Sequence, residues 1–358
     1  MIKSELQKAL ELQNIQELTQ MQQEAIEKIM SNNDVVIASP TGSGKTLAFL
    51  LPLMSQVENI KQCQVLILAP TSELIIQILE QTRLLIKNSQ LPITCSSLIG
   101  NPSRVIENIK KQKPNILVST PERALDLIAQ KKLPAHTIKS LVIDEADYFF
   151  NNEHNAKIKN IIKALQKQTQ IILCSATLTQ DNYDFLKAPS FINVQDKVNK
   201  NISHQFFVTE FRKKFDILNN ILNKQAPKSS LVFVNNIHEA QIVYDKLLHN
   251  GFKASILTSN QNKQERANSL LNFRNNKTNV LISSDVSARG LDVPNISHVI
   301  SLDVPPNSNS YIHRAGRCAR FNNFGTSICI ITKGEIKTIS DYEKNLSISF
   351  ECEKNNPT

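Results

Sequence analysis

Ser39-Pro40-Thr41-Gly42-Ser43-Gly44-Lys45-Thr46 is the stretch on which the reading of this chain turns, because of what flanks it. Residues 34–38 before it form a short β-rich run, and a segment of helical period opens at Leu47. A strand that turns through glycines into a helix presents backbone N–H groups at the helix N-terminus, where an anion is stabilised. In such a loop Thr41, Gly42, Ser43 and Gly44 can cradle phosphates, Lys45 can reach the terminal ones, and the Thr46 hydroxyl can ligate Mg²⁺. A strict form of the pattern has glycine at position 39, where this chain has Ser39. The alternative, a Gly-rich turn with an incidental lysine, is disfavoured by the strand-turn-helix context.

Downstream, Asp144-Glu145-Ala146-Asp147 closes the apolar run 140–143. Alone, these acids would be read as a cap on the following helix. Beside a phosphate loop they acquire roles: Asp144 can hold Mg²⁺, and Glu145 can position and deprotonate an attacking water. Ligands of open α/β sheets bind at the carboxyl ends of the strands, so an acidic pair ending a neighbouring parallel strand falls beside the phosphates. Phosphoryl transfer leaves charge on the equatorial oxygens that a loop and one metal only partly neutralise. Arg317 and Arg320, in His313-Arg314-Ala315-Gly316-Arg317-Cys318-Ala319-Arg320, are spaced to act as arginine fingers, worth roughly 10³–10⁵ in rate. Together these parts point to nucleoside triphosphate hydrolysis.

The grammar around them is repetitive. Runs 64–69, 93–99, 115–119, 140–143 and 170–174 read as further strands, and 73–87, 102–111, 121–130 and 155–168 as helices between them. Continuous rather than alternating apolar strands predict a buried parallel sheet covered on both faces. Residues 187–204 break the pattern with Ala188-Pro189 and scattered lysines and asparagines, and lead into an interdomain linker. A second alternation follows, with strands at 231–235, 254–258, 279–283, 298–303 and 327–332 and helices at 237–250 and 264–275.

A chain of 358 residues predicts about two domains. Its 41% hydrophobic and 20% charged residues are those of a globular protein, and a formal charge of +9 favours an anionic partner such as nucleic acid. The six cysteines form no C-x-x-C pair and mostly sit in apolar runs, which fits free thiols in a reducing compartment better than zinc or disulfides. No apolar stretch has the length of a membrane span, and no secretory apolar core is seen near Glu5 and Glu11, so a cytoplasmic protein is expected.

At this point the residues match a family. The chain resembles the DEAD-box ATP-dependent RNA helicases of superfamily 2 over nearly its whole length, from about Leu6 to about Thr332, with the motifs in the family's order. The resemblance implies an α/β protein of two tandem RecA-like domains, each a mostly parallel sheet flanked by helices, with the active site in the interdomain cleft. The domains are expected at 1–195 and 206–345, with a linker at 196–205 and a short tail at 346–358. Thr19-Gln20-Met21-Gln22 looks like the Q motif, so Gln22 would select ATP through the adenine edge. Ser175-Ala176-Thr177 matches the motif that couples hydrolysis to strand separation, through contact with Asp147. Pro70-Thr71-Ser72, Gly100, and Thr120-Pro121 with Arg123 look like RNA-backbone contacts of the first domain. In the second domain Val232-Phe233-Val234 resembles motif IV, and the string 284–292 resembles motif V. The resemblance therefore implies RNA contacts for Phe233, Arg266 and Ser284, coupling roles for Asp285, Arg289 and His313, and a ribose contact for Asp292.

Several positions depart from the family pattern. Ile15 stands where phenylalanine is usual, Ser72 where arginine is, and Asn101 where the second glycine of a pair is. Ser259 and Lys263 replace Gly and Gln, and Cys318 and Ala319 replace Thr and Gly. Ile15 predicts weaker adenine packing, and Ser72, Asn101, Ser259 and Lys263, all on the RNA side, predict retained ATPase chemistry with a looser or altered RNA grip. The implied activity is an RNA-dependent ATPase that clamps single-stranded RNA without reading its sequence and locally unwinds short duplexes, with ATP and Mg²⁺ as cofactors. A monomer is expected, with targeting left to a partner protein or ribonucleoprotein. Two alternatives remain at this stage: an ATP-gated RNA clamp or chaperone with little unwinding, and a P-loop ATPase acting on DNA. The second gives no reason for Gln22, Ser175-Ala176-Thr177 and the motif V string.

Overall fold

In the computed structural model of the chain, residues 2–40, 42–150, 154–176, 185–186, 188–193, 199–258, 260–285, 296–319 and 324–353 are described. Two compact units divide between Gln195 and Asp196. In the first, strands β1 (Val35–Ala38), β2 (Val65–Leu68), β3 (Cys95–Ser97), β4 (Ile116–Ser119), β5 (Ser140–Asp144), β6 (Gln170–Ser175) and β7 (Ser190–Asn193) form one sheet. Their order is β3-β4-β2-β5-β6-β1-β7, and every described pair is parallel. The helices of this unit are α1 (Ser4–Glu11), α2 (Gln20–Met30), α3 (Lys45–Gln56), α4 (Ser72–Ser89), α5 (Pro102–Gln112), α6 (Pro121–Ala129), α7 (Ala146–Phe150) and α8 (Asn155–Ala164).

The reason the central strands are largely apolar is visible in where their side chains go. Successive residues of a strand point to opposite faces. Val35 and Ile37 enter an apolar cluster with Leu6, Phe49 and Ile75, while Val36 between them enters a second cluster with Ala124, Phe149 and Ile158. Ile67 and Val142 share the first cluster, and Leu66, Leu68, Leu141 and Ile143 the second. A polar residue on either face would have been buried without compensation, which removes the alternation seen in one-sided sheets.

The second unit repeats the plan. Strands β8 (Ile202–Val208), β9 (Ser230–Phe233), β10 (Ala254–Leu257), β11 (Val280–Ser283), β12 (His298–Ser301), β13 (Gly325–Ile331) and β14 (Glu351–Glu353) lie in the order β10-β11-β9-β12-β13-β8-β14, again parallel in every described pair. Among the described residues its α-helices are α9 (Lys214–Lys224), α10 (Ile237–His249), α11 (Lys263–Arg274), α12 (Ser308–Ala315) and α13 (Ile336–Leu346). Leu231, Phe233 and Leu281 face one apolar cluster, and Val232, Val280 and Ile282 the other.

Three strands lie where the sequence reading had linker or tail. Only Ile192 of β7 is buried, so a strand with one inward residue carries little pattern. Strand β8 begins at Ile202, inside 196–205, and has His204 and Gln205 at its centre. The edge strand β14, Glu351-Cys352-Glu353, falls in 346–358 and is recognisable only by its pairing with Gln205, Phe206 and Phe207. Helix α8 also stops at Ala164 rather than continuing to 168, because Leu165 is already extended, with ψ of 166°.

Candidate active site

The loop between β1 and α3 is built on two left-handed glycines, with φ of 82° at Gly42 and 89° at Gly44, a region glycine enters without steric cost. At Gly44 there is a second constraint, because a Cβ there would lie 2.4 Å from Nε2 of Gln22. Ser39, where a strict pattern has glycine, is not among the residues of positive φ, and its buried hydroxyl lies 2.5 Å from that of Ser43. Lys45 opens α3, is buried, and donates from Nζ to the carbonyl of Ser39 at 2.7 Å. Thr46 follows, half-buried, on the first turn of the same helix. Thr41 lies outside the described residues.

The acidic motif is not on the strand next to this loop, as the sequence reading placed it. Strand β6 stands between β5 and β1: Asp144 pairs with Cys174, and Ser175 pairs with Ala38. The intervening strand therefore ends in the Ser175-Ala176 dipeptide, and the Ser175 carbonyl accepts from the Ser39 amide at 2.9 Å. The residue read as a coupler is thus bonded to the start of the phosphate loop. Thr177, its companion, lies outside the described residues.

Asp144 is only 4% exposed, and its Oδ1 accepts from the amide of Glu145 at 3.0 Å. Burial first, then the repulsion of Glu145, pushes its carboxyl up to about 7 against the pull of Lys45. A cation beside it would reverse that balance. The oxygen-only pair of Asp144 carboxylate and Thr46 hydroxyl suits Mg²⁺, so the residues present fit the metal the sequence implies. Glu145 itself is held at a φ of 53°. For a residue with a Cβ this costs about 1–2 kcal/mol, and such strain gathers at functional sites. Asp147 is buried in the first turn of α7.

Gln22 joins this site to α2. Thr19 and Gln22 form a reciprocal cap: the Thr19 hydroxyl accepts from the Gln22 amide at 3.3 Å, and Gln22 Oε1 accepts from the Thr19 amide at 2.9 Å. The remaining Nε2 donates to the Gly44 carbonyl at 3.2 Å. The side chain read as a base reader is therefore bonded to protein at both ends and ties α2 to the phosphate loop.

Along the same edge of the sheet, β3, β4 and β2 are neighbours, and the three RNA-type motifs occupy the turns that follow them. Each turn ends in a capped helix. Thr71 accepts from the Leu74 amide at 3.2 Å, Asn101 from that of Ser103 at 3.0 Å, and Thr120 from that of Arg123 at 3.4 Å. Asn101, a departure from the family, thus serves as an N-cap. Three helix N-termini after adjacent parallel strands favour anions in a row. Pro70 is half-buried, Ser72 is exposed at the first position of α4, and Pro121 is buried at the first of α6. Gly100 is exposed at a φ of 112° with open space where a side chain would stand. Arg123 has a buried Nη2 with no hydrogen-bond partner among the described residues.

In the second unit the organising residue is Arg314, which sequence reasoning did not select. It is 1% exposed on α12. Its Nε and Nη2 grip both oxygens of Asp285 at 2.6 and 2.7 Å, Nη2 also reaches Asn235 Oδ1 at 2.6 Å, and Nη1 donates to the Asp303 carbonyl at 2.6 Å and Ser301 Oγ at 3.2 Å. All three guanidinium nitrogens are used, as a buried arginine requires. Asp285, read as a coupling residue, is thus bonded to α12 through both carboxylate oxygens. Phe233, for which the resemblance implies an RNA contact, has its ring buried, with the Arg314 guanidinium 4.8 Å from its centroid. Ser284 is buried, Arg266 donates from Nη1 to the Thr258 carbonyl at 2.8 Å, His313 is half-buried on α12, and Arg317 is buried just after that helix. Arg289, Asp292 and Arg320 lie outside the described residues.

Among the described residues no helix is long and apolar enough to cross a membrane. Comparison with known proteins matches residues 19–185 to the DEAD/DEAH box helicase family and residues 213–322 to the helicase conserved C-terminal domain. The chain is 35% identical over 353 residues to the DEAD-box ATP-dependent RNA helicase CshC of Bacillus cereus, covering 96% of this chain and 90% of that protein. It is 34% identical to the probable ATP-dependent RNA helicase YfmL of Bacillus subtilis, covering 94% and 90%. Among solved structures, S. cerevisiae Dbp5 bound to RNA and ADP BeF3 is similar with a TM-score of 0.90 and 27% identity, over 98% of this chain and 94% of that one. With its two family regions in order and its relatives matched almost end to end, the chain belongs to the DEAD-box family of ATP-dependent RNA helicases.

Proposed function

We propose that this chain is an RNA-dependent ATPase that grips single-stranded RNA through its sugar-phosphate backbone and separates short duplexes. The observation that carries this reading is the shared edge of the first sheet. The phosphate loop, Asp144-Glu145, and the capped helices after β2, β3 and β4 all follow the carboxyl ends of one parallel sheet. Nucleotide chemistry and an anionic polymer can then be served by one face of one rigid element.

The residues divide the work. Gly42, Ser43 and Gly44 offer backbone N–H groups to the phosphates, and Lys45 exchanges the Ser39 carbonyl for a phosphate oxygen. Thr46 and Asp144 would hold Mg²⁺, which when bound neutralises phosphate charge. Glu145 orients a water and takes its proton. Arg317 and Arg320 are proposed to neutralise charge on the transferred group, and Asp292 to meet the ribose. Thr71, the Gly100 segment, Thr120 and Arg123 bind successive phosphates, which positions RNA without reading its bases.

ATP turnover with and without single-stranded RNA, for wild type and Glu145→Gln, tests the reading. Wild type should be stimulated by RNA and not by DNA of the same length. The variant should lose about 10²–10⁴-fold of turnover, the usual share of a general base, while retaining RNA in the presence of ATP. Turnover indifferent to RNA, or equally stimulated by DNA, defeats it. A second reading, an ATP-gated clamp with little unwinding, is favoured by the exposed, uncharged Ser72 on the RNA edge, and a duplex-separation assay distinguishes the two.

A further inference from the structure

Glu122 stands one residue before Arg123 in the RNA-type turn after β4, and its half-exposed carboxylate is paired with the start of α8. Its Oε1 meets His154 Nδ1 at 2.7 Å and Lys157 Nζ at 2.9 Å. His154 lies just before α8 and Lys157 on its first turn. The contacts do not stop there. The His154 ring lies 5.5 Å from the ring of Tyr148 and 6.1 Å, edge-on, from that of Phe149. Both aromatic residues sit on α7, the short helix that starts at Ala146, directly after the strained Glu145. Phe149 is buried in the core cluster that also holds Ala124 and Leu127 of α6.

Two physical points give this chain of contacts a purpose. A carboxylate in the first turn of a helix is favoured by the helix dipole, but beside a phosphate path it would repel the ligand unless drawn aside. Lys157 and His154 draw it aside. Partial burial alone would raise the Glu122 carboxyl, but hydrogen bonds from Lys157, the backbone and His154 outweigh it and hold the group down at about 2. The carboxyl is therefore ionised, and Lys157 and His154 hold it beside α8. Secondly, α7 is a helix of only five residues, so its placement relative to Glu145 depends on what its rings pack against: Tyr148 and Phe149 against His154, and Phe150 against Phe185.

We infer that Glu122 is a positioning residue, linking the RNA-facing N-terminus of α6 through His154 to Tyr148 and Phe149 on α7, so that RNA held at α6 favours the working placement of Glu145. The inference rests on the RNA-dependent ATPase reading above. Glu122 touches neither RNA nor nucleotide in this scheme and acts only through α7.

The test is ATP turnover against RNA concentration for the full chain as wild type, Glu122→Ala, Glu122→Asp, His154→Phe, and the Glu122→Ala, His154→Phe double variant. His154→Phe keeps a ring against Tyr148 and Phe149 and removes only the bond to Glu122. Both single variants should lower the RNA-stimulated kcat about tenfold. They should leave the RNA-free rate and the half-stimulating RNA concentration within about twofold. The double variant should lose no more than either single, because one link can be broken only once, and Glu122→Asp should recover part of the loss. Additive losses, or a shift in half-stimulating RNA concentration with kcat unchanged, would overturn the inference in favour of a local or purely electrostatic role. A lowered unfolding temperature with RNA stimulation intact would reduce Glu122 to a structural ion pair, and the RNA-free rate reports whether each variant is folded. Absence of RNA stimulation in wild type would instead sink the reading beneath it.

Discussion

Gly44 shows how much one residue carries at this site. Its left-handed φ explains why glycine is needed in the turn, and that much follows from the loop pattern. The second reason, the approach of Gln22 Nε2 to within 2.4 Å of where a Cβ would be, joins residues that lie on two different helix entries. No spacing rule reports such an approach. Gly44→Ala would add left-handed strain of about 1–2 kcal/mol and displace the Gln22 carboxamide from the Gly44 carbonyl. Because the loss falls on the phosphate cradle and its tie to α2 together, ATP affinity should drop about tenfold, while a fluorescent RNA that binds without nucleotide should be held as before. Titration of both ligands checks this, and equal weakening of both would mean that the unit as a whole has loosened. Ala319 presents the opposite situation. It takes a φ of 57° where the family usually has glycine, and Gly325 opposite has no room for a side chain, because a Cβ would lie 2.7 Å from that of Cys318.

At the scale of elements, strands with two buried faces were legible because burial on both sides imposes an apolar run, and the helical period placed the starts of α4, α5 and α6 within one residue. What escaped was whatever depends on a partner far away in sequence. Arg314 draws its bonds from residues 235, 285, 301 and 303, and no local pattern announces that assembly. Strand β8 escaped because its centre is polar. His204 there is buried, hydrogen-bonded to the Tyr311 hydroxyl of α12, and in ring contact with Phe350. Burial lowers its pKa from 6.5 to about 4. Between those values the unfolded chain binds the proton and the folded one does not, so His204 makes stability rise with pH there. Its contribution is complete above pH 6.5 and lost as pH falls to about 4, by at most about 3 kcal/mol. Asp144, raised to about 7, contributes an opposite slope over the whole of that range. Comparison with His204→Phe cancels it, since that carboxylate is common to both proteins. Denaturant unfolding at pH 7 and pH 4.5 should show wild type losing more stability than the variant by about 2–3 kcal/mol. Equal losses would mean that His204 is charged in the folded state.

For the whole molecule, a formal charge of +9 supplies attraction to RNA but no address on it. What decides the strength of the grip is how many cations meet phosphates along the edge of the first sheet, and two of the departures from the family, Ser72 and Asn101, fall there. The phosphate loop keeps its lysine and both turn glycines, whereas position 72 has lost a cation to a serine. The structure shows the loss to be local: Ser72 is exposed at the first position of α4, directly after the Thr71 cap, so a longer side chain there displaces nothing. Each phosphate neutralised on a single strand contributes about 0.7 to the slope of log affinity against log salt. Ser72→Arg should therefore steepen the salt dependence of single-stranded RNA binding by about 0.7. Over a fourfold rise in salt, the variant should lose about 2.6-fold more affinity than wild type, having started from tighter binding. RNA-free ATP turnover should stay where it was, because the substitution lies on the strand-binding turn and not on the loop that holds ATP. Binding measured at several salt concentrations separates a new phosphate contact from a general gain in charge. A slope that stays unchanged while affinity rises would mean that Arg at 72 acts on α4 or on the bases, and that the looser RNA grip has another origin.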